Sequence, residues 1–346
     1  MKPGVFVVTT VHWPDDTRIR ERLIRTLSEE FAVKYATKYP GPADRSGLEW
    51  VGLAGGRIRR NFAALRLALG TDWDVMVLHD PETIPMGLLV RLLRRKPVIF
   101  DVHEDFPSVA HTREWVPNRL RPVLSVLARW ILSLAERFLI LTLAEPGYGR
   151  SFTRDHPVFP NYPDTSSYPP VQSKRRDEVV YLGDATLARG VDLAIEACRR
   201  AGFPLRLIGR VSTEIGRNVS PAAPGVFEEG VLPNPEAVRR VSEAAVGVIP
   251  LRDLPNYRHS QPTKLLEYLA LGLPVVASDL PGTRDIAKDL EAAILVPPGD
   301  VAALAEAIKK AMTPEVRDLA ITQSSMIRER FRWPADEVLS FYSNLL

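Results

Sequence analysis

The sequence predicts an α/β protein with two domains, each built on a parallel sheet. Apolar runs of strand length alternate with amphipathic stretches of helix length along the chain, a pattern typical of βαβ units. A Pro- and Ser-rich stretch without periodicity, residues 156–177, interrupts this alternation once and predicts a linker. The length of 346 residues also suits two domains better than one.

Ten apolar runs are predicted as strands, five on each side of the linker. They begin at Val5, Phe31, Val75, Pro97, Phe138, Val179, Leu205, Val246, Pro274 and Ala292. In the first half, helices are predicted over Arg18–Glu30, Asn61–Leu69, Pro85–Leu93 and Asn118–Ala135. We therefore predict Rossmann-like domains over residues 1–160 and 178–330, a linker over 161–177, and a separate C-terminal segment over 331–346.

Composition narrows the class of protein. Hydrophobic residues make up 45% and charged residues 25%, the balance of a soluble globular protein. No apolar run reaches the roughly 18 residues of a membrane span, and the N-terminus lacks a signal-peptide pattern. We expect a cytoplasmic protein, with peripheral association at the inner face of the membrane left open. The single cysteine, Cys198, excludes an internal disulfide and a cysteine-based metal cluster.

Basic residues cluster in the first half of the chain. The clusters comprise Arg57, Arg59, Arg60, Arg91, Arg94, Arg95 and Lys96. Such clusters usually form a solvated face, and a surface for anionic lipid is the alternative. The apolar residues at helical spacing between Trp115 and Leu134 leave a similar choice between packing on the sheet and lying on anionic lipid. Nucleic acid is not an expected partner, because no basic strand is interleaved with aromatic residues.

Residues 259–282, HSQPTKLLEYLALGLPVVASDLPG, are the most informative stretch. Pro262 and Thr263 are predicted to begin a helix, with Thr263 as its cap. A helix N-terminus offers unpaired N–H groups and the positive end of its dipole to a diphosphate, and Lys264 adds a full charge. Glu267 lies on the same face and can accept hydrogen bonds from a ribose diol. Taken alone, these residues also fit an exposed helix with a Lys–Glu pair.

The whole stretch PTKLLEYLALGLPVVASDLPG resembles the donor-nucleotide segment of the retaining glycosyltransferases of family 4, the glycosyl transferases group 1, which have the GT-B architecture. This resemblance implies two Rossmann-like domains facing across a cleft and a last helix, here FRWPADEVLSFYSNLL, that crosses back to the first domain. It also implies that Glu267 binds ribose hydroxyls and that Thr263 and Lys264 face the diphosphate. His259 stands where many members carry an earlier Glu that contacts the donor sugar, so the donor sugar is left undetermined.

The resemblance extends to the segment YLGDATLARG. Arg189 would bind the pyrophosphate, while Gly183 and Gly190 would let the backbone approach the ligand. Asp184 stands where members often carry a second Arg, so one phosphate contact is expected to be missing. Farther on, the pairs Gly209–Arg210 and Gly230–Val231 resemble the segments that bracket the base.

In the first half, the resemblance gives His103 a contact to the donor sugar near the reacting carbon. It gives Asp16 and Arg18, in VHWPDDTRIRERL, a position on the acceptor side. His79 and Asp80 end a neighbouring strand and are expected to line the same cleft.

Metal binding is not expected. A set formed by His103, Glu104 and Asp105 with His79–Asp80 is disfavoured, because adjacent residues on one loop rarely converge on one ion. The Asp-Trp-Asp at 72–74 precedes its strand and so lies at the wrong end of the sheet for a metal-dependent transferase. We therefore expect no metal and no other cofactor.

These features imply a retaining hexosyl- or related glycosyltransferase of glycan biosynthesis, with His103, Arg189 and Lys264 as its catalytic residues. It would use a nucleotide-diphosphate sugar and a glycan, lipid-linked or small-molecule acceptor. Arg189, Lys264 and the helix N-terminus would stabilise the departing diphosphate, which would itself take the acceptor's proton. Two alternatives stay open: a nucleotide-sugar hydrolase or epimerase on the same architecture, and a catalytically silent sugar-nucleotide-binding subunit.

Overall fold

The computed structural model of the chain describes residues 2–39, 48–106, 119, 121–218 and 225–346. The chain divides into two compact units, Met1–Asn161 with Trp333–Leu346, and Tyr162–Arg332. Each unit contains a six-stranded sheet, and all recorded strand pairs in both sheets are parallel. In each sheet the carboxyl ends of the strands therefore meet at one edge, which is where ligands bind in open α/β sheets.

The sheet of the first unit has the order β3-β2-β1-β4-β5-β6. Its strands are β1 Gly4–Val8, β2 Ala32–Thr37, β3 Glu49–Gly52, β4 Val75–Leu78, β5 Val98–Val102 and β6 Ile140–Leu143. A π-helical segment, Thr17–Ile24, leads into α1 Arg25–Glu30, and three longer helices follow. These are α2 Arg57–Gly70, α3 Ile84–Arg94 and α4 Arg121–Phe138.

Both faces of this sheet are covered. Side chains alternate across β1, so that Val5 and Val7 join one buried cluster while Phe6 and Val8 join another. The Phe6 cluster includes residues of α2, α3 and α4, and the Val5 cluster includes residues of Thr17–Ile24 and of the C-terminal segment. A parallel sheet buried on both faces produces the near-continuous apolar runs seen in the sequence.

The sheet of the second unit has the order β12-β11-β10-β7-β8-β9. Its strands are β7 Arg176–Leu182, β8 Leu205–Ile208, β9 Val226–Gly230, β10 Ala244–Ile249, β11 Val275–Ser278 and β12 Ala293–Val296. Its helices are α5 Val191–Ala201, α6 Thr213–Asn218, α7 Asn234–Ser242, α8 Pro255–Arg258, α9 Thr263–Ala270, α10 Pro281–Ala287, α11 Val301–Ala311 and α12 Pro314–Arg330.

The last helix, α13 Ala335–Ser343, belongs to the first unit. Val338 and Tyr342 of this helix are buried in the same cluster as Leu27 of α1. Before it, the indole Nε1 of Trp333 donates a hydrogen bond of 2.9 Å to Thr26 Oγ1. The C-terminal segment thus completes one face of the first sheet.

All ten predicted strands are present, and two further strands were missed. Those two, β3 and β9, each lie at one edge of their sheet, and exposed side chains interrupt both. An edge strand is covered less than a central one and can include exposed polar residues, so these two carry no continuous apolar run. The predicted start of α4 at Asn118 lies outside the described residues.

Two details of the sequence prediction need correction. The helix α9 begins at Thr263, but Pro262 occupies the cap position and no side chain caps the helix. The predicted cap at Thr263 is therefore wrong by one residue. The strand β7 begins at Arg176, so the last two residues assigned to the linker belong to the sheet. Within the described residues, no helix is both long enough and apolar enough to cross a membrane.

Candidate active site

Two cationic side chains of the second unit converge on Gly183, directly after β7. A Cβ built on Gly183 would lie 2.8 Å from Lys264 Cε, 3.2 Å from Lys264 Nζ and 3.4 Å from Arg189 Nη1. Gly183 also has φ +127°, a backbone conformation that other residues rarely adopt. The absence of a side chain here leaves room for both cations beside the backbone. Such a pair of charges is suited to an anion with several oxygens, such as a diphosphate.

Lys264 lies in the first turn of α9, and a buried tyrosine of the same helix fixes α9 against the sheet. Tyr268 is fully buried, and its hydroxyl accepts a hydrogen bond of 2.8 Å from the backbone N–H of Leu182, at the end of β7. Gly247 of β10 makes room for the ring, because a Cβ there would lie 2.2 Å from Tyr268 Cδ2. Burial raises the pKa of the Tyr268 hydroxyl well above its usual value, so it stays protonated. This hydrogen bond thus fixes α9 to β7, the strand that ends directly before Gly183.

Thr263, Lys264 and Glu267 are all half-buried, whereas Leu265 and Leu266 are completely buried. This division follows from helical spacing, which puts residues three and four positions apart on one face. Glu267 therefore shares the partly exposed face of α9 with Thr263 and Lys264. The predicted grouping of these three residues on one face is present in the structure.

The loop that carries Arg189 is held by close backbone packing at Gly190 and by hydrogen bonds from the Arg252 side chain. Gly190, with φ +69°, packs so closely that a Cβ would lie 1.9 Å from the carbonyl oxygen of Pro250. Arg252 Nε donates a hydrogen bond of 2.8 Å to the carbonyl of Leu187, and its Nη2 donates one of 2.5 Å to Asp192 Oδ2. These contacts fix the loop between β7 and α5.

The glycines that follow β7 and β8 pack beside one another and beside Gly230, the last residue of β9. Gly209 N donates a hydrogen bond of 2.7 Å to Gly230 O, and a Cβ on Gly209 would lie 2.3 Å from Gly183 O. Arg210 and Val231, the residues that follow two of these glycines, are exposed. The structure therefore brings the predicted base-bracketing segments to the same sheet edge as the cation pair.

His259 is exposed and lies just before α9. Its backbone carbonyl packs against the start of α10, where a Cβ on Gly282 would lie 2.8 Å from His259 O and 2.5 Å from Ser260 O. Pro281 and Gly282, the first two residues of α10, thus support the segment that leads into α9. Which ligand groups His259, Arg210 and Val231 contact stays a prediction.

The first unit carries a histidine cluster at the carboxyl edge of its sheet. His12 follows β1, His79 follows β4 and His103 follows β5. His12 Nε2 lies 3.1 Å from His103 Nε2, and His12 Nδ1 lies 3.0 Å from Asp16 Oδ2. Asp80 Oδ1 lies 3.4 Å from His12 Nε2.

The two facing histidines have opposite protonation preferences. Burial opposes a charge on His12, but the hydrogen bond and charge of Asp16, with Asp80 and Glu104, outweigh it and raise its pKa to about 9. Burial and the nearby charge of His12 lower the pKa of His103. At neutral pH, His12 is therefore protonated and His103 is neutral. His103 Nδ1 lies 3.0 Å from Asp101 O, which assigns its proton to Nδ1 and leaves Nε2 to accept from His12.

Arg18 is buried, and its position on the acceptor side stays a prediction. Its side chain donates two hydrogen bonds of 2.8 Å to Asp101 and one of 3.1 Å to Phe159 O. Thr142 Oγ1 donates a further bond of 2.8 Å to Asp101. Arg18 supports the strand end that carries His103, because Asp101 lies two residues before this histidine.

Asp16 is only partly exposed, with 26% of its side chain accessible. Its Oδ1 accepts 3.0 Å hydrogen bonds from the backbone N–H groups of Arg18 and Ile19, and so caps the helical segment that starts at Thr17. Burial opposes its ionisation, but the hydrogen bond and charge of His12 outweigh this and lower the pKa of Asp16. Its second oxygen, Oδ2, contacts His12 Nδ1, so Asp16 positions the pair formed by His12 and His103.

The first unit also contains a group of side chains with the spacing of metal ligands. Ligand atoms of His79, Asp101 and His103 lie within 4.8 Å of one another, a set that differs from the one weighed from the sequence. The carboxylate of Asp101 already binds the Arg18 guanidinium and Thr142, so a cation would have to compete with an existing charge. The Asp-Trp-Asp motif precedes β4, where Asp74 Oδ2 accepts a 2.8 Å bond from Gly4 N. Metal independence stays a prediction.

Sequence reasoning missed His12, Trp13 and Asp101. Trp13 stacks on Tyr39 at a centroid distance of 5.0 Å, with Lys38 Nζ 4.8 Å from the Trp13 ring centre. His12 could have been found from its spacing to Asp16, because the two residues lie four positions apart just before a helix. Asp101 gave no signal of its own, because its partners are distant in sequence.

Comparison with known proteins identifies relatives of this architecture. The sequence model of the family described as glycosyl transferases group 1 matches residues 176–313. A phosphatidyl-myo-inositol mannosyltransferase of Mycobacterium leprae is 25% identical over 272 residues, 75% of this chain and 67% of the relative.

Two solved structures cover almost the whole chain. Sucrose-phosphate synthase from Thermosynechococcus elongatus superposes with a TM-score of 0.79 at 16% identity, over 100% of this chain and 99% of the other. Anabaena HepE in complex with UDP-glucose superposes with a TM-score of 0.71 at 13% identity, over 99% of both chains. The predicted GT-B fold, with two Rossmann-like domains, is confirmed.

Proposed function

Since the second unit carries a glycosyl transferases group 1 domain at residues 176–313, we propose that this glycosyltransferase moves a hexosyl or related sugar from a nucleotide-diphosphate donor with retention of anomeric configuration. The donor-binding part of this proposal rests on residues of the second unit alone. The acceptor side is assigned to the first unit.

The convergence of Lys264 and Arg189 on Gly183 is the observation that carries the proposal. The two cations sit where β7 ends and α9 begins, so the positive end of the α9 dipole points to the same place. A diphosphate bound there would meet two full charges and the backbone N–H groups of the first helical turn. Glu267, one turn farther along the same face, would accept hydrogen bonds from the ribose.

These groups would act most strongly on the charge that develops as the sugar leaves. The bond from the anomeric carbon to the diphosphate oxygen breaks, and a bond to the acceptor oxygen forms on the same face of the sugar. The acceptor's proton passes to the departing diphosphate. Loss of one preorganised contact to such a leaving group typically costs roughly 10²–10³ in rate. The charge comes from protein side chains, so the proposal includes no metal and no other cofactor.

For the first unit we propose that neutral His103 contacts the donor sugar near the reacting carbon. Its Nδ1–H is held by Asp101 O, and its Nε2 is a hydrogen-bond acceptor toward His12. Asp16 and His12 then form the charged edge of the acceptor side. Arg18, buried against Asp101, would hold the strand end that carries His103.

The first test is thermal denaturation of the full chain with UDP, GDP, ADP and dTDP. A nucleotide present at 100 times its Kd should add about 2.7 kcal/mol to the free energy of unfolding. One of the four should therefore raise the melting temperature clearly more than the others. If none does, the donor site is not formed by these residues.

The second test separates transfer from the alternatives. The donor chosen by the first test is incubated with and without pooled glycan and lipid acceptors, and the products are followed by NMR. Sugar transfer to an acceptor supports the proposal. Free sugar or an epimerised donor without acceptor would instead identify a hydrolase or an epimerase, and tight binding without turnover in any pool would identify a silent binding subunit.

A further inference from the structure

Three neighbouring helices of the first unit, α2, α3 and α4, expose an unusual number of large apolar side chains. Of the 17 such side chains that are exposed in the described residues, 11 lie on these helices. They are Ile58, Phe62, Leu69, Leu89, Leu92, Leu93, Val123, Val126, Leu127, Trp130 and Phe138. The helices pack on one face of the sheet, with α3 touching both α2 and α4. We call their outer surface the α2–α4 face.

The charges of this face have one sign. The three helices contain nine arginines and a single acidic residue, Glu136. Glu136 is buried and accepts hydrogen bonds from Thr153 N and Arg154 N at 2.7 and 2.8 Å, so it does not neutralise the surface. The exposed arginines are Arg57, Arg59, Arg66, Arg91, Arg129 and Arg137. Nearby carboxylates offset part of this charge, since Asp72 lies 3.7 Å from Arg94 and Glu82 lies 3.9 Å from Arg57.

A groove of about 480 Å³ opens on this face between α2 and α3. Its apolar lining comes from both helices and comprises Ile58, Phe62, Leu65, Pro85, Met86 and Leu89. Arg57, Asn61 and Glu82 complete the lining. An apolar groove with one polar part fits a hydrocarbon chain that carries a polar head.

We propose that the α2–α4 face docks on an anionic lipid bilayer and that an acyl chain enters the groove between α2 and α3. Apolar side chains surrounded by arginines meet the two demands of such a surface, burial of hydrocarbon and attraction to negative headgroups. A second copy of the chain is disfavoured as the occupant, because the face would then oppose arginine to arginine. The broad apolar area likewise does not suit a nucleic acid backbone.

The groove reaches the carboxyl edge of the first sheet. Thr10, directly beyond β1, donates a hydrogen bond of 3.2 Å from Oγ1 to Glu82 Oε1, and Glu82 lines the groove. His12 follows two residues later. A lipid held on this face would thus lie beside the histidine cluster, which makes a lipid-linked acceptor the expected substrate class. This last step, unlike the docking itself, rests on the proposed transferase function.

Flotation of the full chain with vesicles tests docking without any turnover. Vesicles of phosphatidylcholine alone are compared with vesicles containing phosphatidylglycerol, at low and high salt. We expect flotation with the anionic vesicles, weakened by salt. Absence of flotation, or equal flotation with both vesicle types, would overturn the proposal.

Variants locate the contact. The triple change Arg59→Glu, Arg91→Glu and Arg129→Glu should weaken partitioning by roughly fivefold or more for each arginine. The triple change Ile58→Ser, Leu92→Ser and Trp130→Ser should weaken it on anionic vesicles as well, and the high exposure of these side chains should leave the melting temperature unchanged. A matched control, Lys310→Glu with Met326→Ser on the second unit, should bind as the unaltered chain does. Equal loss in the control, or an unaltered chain that is dimeric and becomes monomeric when the face is changed, would count against lipid as the occupant.

Fluorescence quenching tests the groove. A Trp placed at position 62 by Phe62→Trp should be quenched by vesicles whose acyl chains are brominated. The control is Phe227→Trp, because Phe227 is also exposed but lies on β9 of the second unit. If the added quenching is no greater at position 62 than at position 227, the acyl chain does not enter the groove.

Discussion

His12 Nε2 lies 3.1 Å from His103 Nε2, with only one proton to share between these two atoms. Asp16 holds the other ring nitrogen of His12, and the carbonyl of Asp101 holds the other ring nitrogen of His103. The charge therefore resides on His12, and His103 is presented as a neutral imidazole. Two strand ends that are far apart in the sequence thus set the protonation state of one side chain.

This arrangement predicts a pH dependence of stability. The folded-state pKa of His12, about 9, lies above its ordinary value of 6.5. Its contribution to the free energy of unfolding should therefore be complete below pH 6.5 and be lost as the pH rises through 9, with an upper limit of about 3 kcal/mol. Urea unfolding between pH 6 and 10 measures it. The His12→Gln variant should lack this decline, and parallel curves for the two proteins would show that His12 is not charged in the fold.

The buried Arg18–Asp101 pair should matter for stability. Asp101→Asn leaves the guanidinium uncompensated, and removing one partner of a buried pair costs about 3–5 kcal/mol. Urea unfolding at pH 7 measures the change. Asp72→Asn is the matched control, because Asp72 pairs with Lys96 at the exposed surface and such pairs contribute little to stability. An Arg18→Met variant with full stability and a raised KM for acceptor would instead assign Arg18 to acceptor binding.

Lys264 and Arg189 should act on one leaving group. Lys264→Met and Arg189→Met are each expected to lower kcat by roughly 10²–10³. The double variant should lose less than the product of the two, because both side chains meet beside Gly183. The double-mutant cycle is measured by steady-state kinetics of the unaltered chain, the two single variants and the double variant. Lys310→Met is the surface control. Fully multiplicative losses would indicate separate sites.

Glu267 should bind the nucleoside without supporting the fold. Glu267→Gln is predicted to weaken donor binding while leaving the melting temperature unchanged, because the side chain is only half-buried on the open face of α9. Isothermal titration calorimetry with the preferred nucleotide measures the affinity. Glu236→Gln serves as the control for loss of a carboxylate, because Glu236 is also partly exposed and lies on another helix, α7. Unchanged affinity in folded Glu267→Gln would remove this residue from the site.

Catalysis should need no divalent metal, and the product should keep the donor's anomeric configuration. The expectation about metal rests on two cations at the donor site and on an Asp-Trp-Asp motif that precedes its strand. Activity is assayed after exhaustive EDTA treatment, and the anomeric coupling of early product is read by NMR. Activity that disappears with EDTA and returns with Mg²⁺ or Mn²⁺ would contradict the first expectation. An inverted anomer would contradict the second.

The central strands and the donor segment were predictable from sequence because their signals are local. A strand buried on both faces must be apolar along its length, as β4 is from Val75 to Leu78. The grouping of Thr263, Lys264 and Glu267 follows from helical spacing alone. The strands β3 and β9 lacked this signal, because exposed residues interrupt both of them.

The sequence by itself determined the alternation of strands and helices, the helix that offers Lys264 and Glu267, and the glycines at the strand ends. These depend on periodicity and on backbone conformations that neighbouring residues impose. Only the tertiary structure decided which charged side chains are paired in the core and which lie at the candidate active site. Arg18 and Arg189 both follow a strand in a loop-to-helix segment, yet Arg18 is buried against Asp101, 83 residues away, whereas Arg189 meets Lys264 beside Gly183. A charged side chain is held by whichever partner the packed sheet brings within a few ångströms, and local sequence does not specify that partner.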